Sequence, residues 1–167
     1  MHLQTFVFRS AAAALVALSL AACTTVDLTP QRPGPVVTQP APRQALFVRP
    51  AGGSVISRFD GVSNKGIDIA GNLGDPVVAS ADGRVVYVGG ELPAYGNMII
   101  VKHNETFLTA YAHLSTILVK ENAVVRQGEK IAEMGRSNAD RVKLRFEIRK
   151  NGNAVNPEPY LNGLLQQ

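Results

Sequence analysis

One cysteine in 167 residues, Cys23, leaves the chain without the means to form an internal disulfide. Histidine is nearly as scarce: His2, His103 and His113 are the whole supply, with no H-E-x-x-H and no cysteine pair among them. No apolar run is long enough to cross a bilayer. The longest near the start, Ala11 to Leu20, is about half of the roughly 20 residues a span requires. Strong charge is missing too: 17 basic against 13 acidic residues gives a formal net charge of +4, too small a balance to argue for nucleic acid. No internal repeat and no sustained helical stripe is apparent, which argues against solenoids and bundles.

The N-terminal residues "MHLQTFVFRSAAAALVALSLAACTT" place Arg9 before the short apolar run and small residues after it, the pattern of a secretory signal over residues 1–22. The "LAAC" that closes it resembles the bacterial lipobox, which implies lipidation of Cys23 at the mature N-terminus. Thr24, where an inner-membrane lipoprotein usually has Asp, implies the outer membrane of a Gram-negative cell, facing the periplasm. Residues 23–44 carry prolines at 30, 33, 35, 40 and 42 and read as an extended tether. Residues 45–167 have the length of one domain with its own core.

Within that domain, turn pairs such as Asp82-Gly83, Gly89-Gly90 and Asn151-Gly152 separate β-branched and aromatic runs such as "RVVYV" and "NMIIVKH". The expected fold is mainly β, an antiparallel sheet around a barrel-sandwich-like core. The run "RVKLRFEIR", Arg141 to Arg149, alternates Val142, Leu144, Phe146 and Ile148 with Arg141, Lys143, Arg145, Glu147 and Arg149. Period two sends the apolar set to the core and the charged set to the opposite face. That face is either an ordinary solvated surface or a site rich in cations.

Four segments in order, "SRFDGVSNKGIDIAGNLGDPVVASADGRVVYVGG", "YGNMIIVKHNETFLTAYAHLS", "VVRQGEKIAEMG" and "LRFEIRKNGNAVNPEPYL", resemble peptidase family M23, the lysostaphin or LytM type of zinc endopeptidase that cuts peptidoglycan cross-links. The resemblance runs from Phe47 to Leu161. It implies zinc held by the His and Asp of H-x-x-x-D and by the second His of H-x-H, with the first His of H-x-H and the His of "YAHL" assisting. Here those positions are Asn64, Asp68, Lys143, Arg145 and His113. Arginine has no lone pair to give and lysine is a cation near neutrality, so a catalytic zinc with about three protein ligands is not expected. The expectation is no cofactor, no metal and no catalytic residue, with Arg145 pairing Asp68 where zinc would bind and Asn64 close by. For His103 and His113 structural roles are expected.

Exported, degenerate members of the family resemble the division-associated activators of periplasmic N-acetylmuramoyl-L-alanine amidases. That implies a partner-binding groove, for which Lys65, Tyr95, Met98, Arg145 and Arg149 are the candidates, with Arg149 expected to serve the partner more than the fold. Such activators often carry a LysM module between anchor and domain, for which residues 23–44 leave no room. Direct binding of peptidoglycan, through Lys143, Arg145 and Arg149, is the alternative, and zinc endopeptidase activity the third reading.

Overall fold

A computed structural model describes residues 46–165; the signal, Cys23 and the tether lie outside the described residues. Eleven strands and one helical turn follow in the order β1 (Val55–Ser57), β2 (Ile67–Ala70), β3 (Pro76–Val78), β4 (Gly83–Gly89), β5 (Met98–Lys102), β6 (Phe107–Ala112), β7 (Leu114–Ile117), β8 (Val124–Val125), β9 (Lys130–Met134), β10 (Lys143–Lys150), β11 (Asn153–Val155) and α1 (Glu158–Leu161). The larger sheet runs β1-β2-β10-β6-β5-β4-β8, with β11 also on β10, and the smaller runs β3-β9-β7. Every pairing is antiparallel, as the frequent short turns predict.

The core lies between the two sheets. Leu144, Phe146 and Ile148 from β10 meet Ile67, Ile69, Val77, Ile131, Ala132 and Met134 in one buried cluster. Each large aliphatic or aromatic side chain so buried contributes about 1.5–3 kcal/mol relative to leaving it in water. At one end Phe47, Phe107 and Tyr160 pack edge to face, with centroids 5.6–6.2 Å apart. Tyr160 and Leu161 reach that cluster from α1, a turn too short for any helical periodicity to announce it.

β10 is the strand that positions the site. It pairs β2 through Lys143↔Ala70 to Phe146↔Ile67, and β6 through Arg145↔Ala112 to Lys150↔Phe107. Gly66 makes the first pairing sterically possible: a Cβ there would stand 2.2 Å from the Phe146 carbonyl oxygen. The close approach sets Arg145 directly opposite Asp68.

Candidate functional site

Asp68 is the centre of an ion-pair cluster on the outer face of the large sheet. Its side chain is only 5% exposed, with Arg145 Nε 3.1 Å from Oδ1 and Lys143 Nζ 3.0 Å from Oδ2. Lys143 also reaches Asp140 at 3.2 Å. Lys143 belongs to the same bridge as Arg145, a pairing that alternation along β10 alone does not reveal. Asn64 is buried but turned elsewhere: Nδ2 donates to Ser57 Oγ at 2.9 Å and to the Arg58 carbonyl at 3.0 Å, while Oδ1 accepts from Gly66 N–H at 3.1 Å. Asp60 shapes the loop that carries it, accepting from the Val62 and Asn64 backbone and the Ser63 hydroxyl. Those bonds, led by Ser63, lower the Asp60 pKa to about 2.

This donor set does not fit the zinc that the sequence frame implies. Both Asp68 oxygens already accept from cations, the Asn64 amide is committed to three bonds, and Lys143 and Arg145 offer positive charge where a metal needs lone pairs. Among the described residues no three His, Cys, Asp or Glu side chains are grouped to hold a metal.

His113 connects β6 to β7 with φ +65°, a left-handed conformation uncommon outside glycine. It is buried, and two hydrogen bonds hold it: its backbone N–H donates to the Tyr95 carbonyl at 2.9 Å, and Nδ1 donates to the Ser137 carbonyl at 2.9 Å. Asn97 N–H donates to Ser137 Oγ at 3.0 Å, and Gly96, at φ +60°, would place a Cβ 2.5 Å from the Ser137 carbonyl oxygen. His113 therefore fastens the Tyr95 loop and the Ser137 loop together beside the Asp68 cluster. Burial lowers its pKa below the ordinary imidazole value; the Lys143 and Arg145 charges add to this, and the Ser137 carbonyl and Asp68 oppose it.

His103 stands apart from the site. Nδ1 bonds the Asp82 carbonyl at 2.7 Å, Nε2 bonds Thr109 Oγ1 at 2.8 Å, and the ring meets Phe47 edge-on at 5.3 Å. With both nitrogens engaged and its pKa lowered chiefly by burial, it ties strand ends together.

Farther along β10 the face is not simply solvated. Glu147 is fully buried opposite Ala110, and its Oε2 accepts from Arg149 Nε at 3.2 Å and Nη2 at 3.0 Å; Oε1 has no hydrogen-bond partner among the described residues. Arg149, expected to serve the partner more than the fold, is also the counter-ion of a buried carboxylate. Tyr95 lies close enough that burial, reinforced by the Glu147 charge, raises its phenol pKa. Glu147 itself escaped the sequence reading, although one acid among alternating cations, two residues before an arginine on the same face, was the available signal.

The remaining candidates fall into two depressions that share Arg149. Lys65, whose Nζ donates to the Gly61 carbonyl at 2.5 Å, lines one with Gly152 and Asn153; Tyr95 and Met98 line the other.

A model of peptidase family M23 matches residues 62–157. The Pseudomonas aeruginosa protein named lipoprotein NlpD/LppB homolog is 51% identical over 129 residues, covering 76% of this chain and 43% of the relative. The murein hydrolase activator NlpD of Escherichia coli K12 is 52% identical over 114 residues, covering 67% of this chain and 30% of the relative. Among solved structures, a zinc containing peptidase from Vibrio cholerae superposes with a TM-score of 0.64 at 29% identity, covering 68% of this chain and 39% of that one. The chain spans less than half the length of each of these three.

Proposed function

The chain belongs to peptidase family M23, and from that premise we propose that it is a non-catalytic member: an outer-membrane lipoprotein, anchored at Cys23, that binds and activates a periplasmic N-acetylmuramoyl-L-alanine amidase for peptidoglycan remodelling and daughter-cell separation. The observation that carries this reading is the double occupation of Asp68, the one ligand-type residue kept at the zinc position, by Lys143 and Arg145. A carboxylate so neutralised has two fixed cations where a metal ion would have to sit, and zinc hydrolysis requires that ion. The word "activator" in the name of the E. coli relative supports the same reading.

Activation is a population shift. The protein must bind the open amidase more tightly than the closed one, and only that difference moves the equilibrium. The proposed binding surface is Lys65, Tyr95, Arg145 and Arg149, aromatic and cationic residues of the kind that anchor interfaces, with the buried Met98 lining the depression beside Tyr95. Arg145 and Arg149 hold the groove together as well as presenting charge.

Dye release from labelled sacculi tests the proposal. The protein alone should release nothing, and adding it to its cognate amidase should raise release above that of the amidase alone. About one zinc per chain with EDTA-sensitive cleavage of cross-linked muropeptides would overturn the non-catalytic reading. A second reading, peptidoglycan as direct ligand, draws on the depression between Lys65 and Arg149, which suits a peptide carboxylate. Sedimentation with purified sacculi in the absence of amidase distinguishes it.

A further inference from the structure

Beside Arg149, on the face that carries Tyr95, is a cavity of about 130 Å³ with Leu92, Met98, Ile100 and Leu108 in its wall and Ala110 in its lining. It is predominantly apolar and partly enclosed, unlike the more open depression around Lys65 that shares the same arginine. Apolar cavities of about 150 Å³ accept a molecule the size of benzene, so this one matches a single aliphatic side chain. Leu92 at its rim is 47% exposed.

The polar edge is equally specific. Of the five guanidinium donors, Nε and one on Nη2 are committed to Glu147, and the Arg149 side chain remains 38% exposed. Nη1 is left to donate to a carboxylate, and Lys65 lines the neighbouring depression that shares the arginine. An aliphatic socket with a cation at its lip selects for a leucine-like residue and an acid close together in one segment.

We infer that the cavity bounded by Leu92, Met98 and Ala110 is the anchor socket of the partner interface, taking one aliphatic side chain from a protein segment whose neighbouring acidic residue pairs with Arg149. This rests on the proposed amidase reading and specifies which part of the amidase surface docks: an exposed aliphatic residue flanked by Asp or Glu. The apolar contact supplies affinity by leaving water, and the charge pair fixes register and speeds association.

The test uses the full-length protein in detergent and the purified cognate amidase. Ala110→Leu fills the socket from its lining, and Leu92→Asp places a like charge against the incoming acid. Each should weaken amidase binding at least about tenfold while urea midpoints stay close to wild type. If Ala110→Leu fails to fold, Leu92→Asp decides, since its side chain is half in solvent. A photo-crosslinking residue at position 92 should capture the amidase on an aliphatic residue adjacent to an acid. Wild-type affinity in Leu92→Asp, or a crosslink to a segment lacking that pair, overturns the socket and leaves the activator reading standing. No amidase binding by the wild-type protein overturns both.

Discussion

Truncating Arg149 to alanine removes the cation that holds a fully buried carboxylate. Glu147 is 0% exposed, both bonds from Arg149 fall on Oε2, and Oε1 has no partner among the described residues to compensate. Breaking a buried pair from one side costs about 3–5 kcal/mol, because the charge left behind is uncompensated. The Arg149 side chain is 38% exposed, so water enters where it stood and part of the penalty is screened. The expected loss is about 2–4 kcal/mol. With an m-value of about 1.5 kcal/mol/M, the urea midpoint falls by roughly 1.3–2.7 M at unchanged m. The double variant Glu147→Leu/Arg149→Met replaces the pair by apolar groups of similar size and should return to within about 1 kcal/mol of wild type. A midpoint for Arg149→Ala within about 0.3 M of wild type, or a double variant less stable than the single one, would refute the reasoning.

Asp68→Ala leaves Lys143 and Arg145 facing each other and should cost about 2–3 kcal/mol, whereas Arg145→Ala should cost only about 1 kcal/mol because Lys143 still holds Asp68; equilibrium unfolding of both variants checks the order. His113 is held below the ordinary imidazole pKa, so its contribution to stability is complete above about pH 6.5 and is lost as pH falls from there through the folded value. His113→Gln should flatten that part of the stability profile, leaving the share due to His103, as thermal melts between pH 7.5 and 5 would record. Asp60 is lowered to about 2, so its support of the Asn64 loop is present above pH 3.8 and lost as pH falls toward 2, readable as increasing exchange of the Asn64 amide. Cys23→Ser should release the protein from the outer-membrane fraction; retention there would refute the lipid anchor, for which the multiple acyl chains of a mature lipoprotein are needed.

Much of the fold was readable because it is local. Period two along Lys143–Lys150 marks β10 and its core face without any tertiary knowledge, and turn pairs at short intervals imply antiparallel neighbours. What the alternation could not tell is which charges on the outer face find partners, since that depends on register between strands far apart in sequence. Lys143 reaches Asp68 because β10 pairs β2 from Lys143↔Ala70 onward, and Glu147 is buried on a strand whose neighbour at that position is Ala110, far away in sequence. The role of His113 is non-local in the same way: it needs the Tyr95 and Ser137 loops to meet, and nothing near "YAHL" announces Ser137.

The ion-pair cluster on Asp68 also makes the ancestry of the groove hard to retrace. On the proposed reading, two zinc-ligand positions, Asn64 and Arg145, and one assisting position, Lys143, separate it from a histidine-bearing site. Changing Asn64 alone breaks its bonds to Ser57, Arg58 and Gly66, and changing Arg145 alone removes one of the two charges neutralising Asp68 while Lys143 still occupies the other oxygen. Each step back loses folding free energy before any lone pair becomes useful, so single mutations lead downhill in stability with no catalytic reward along the way. A lineage that had acquired this cluster would be free to reshape the rims of its groove for new ligands, but would meet a thermodynamic ratchet against recovering the old chemistry at its centre.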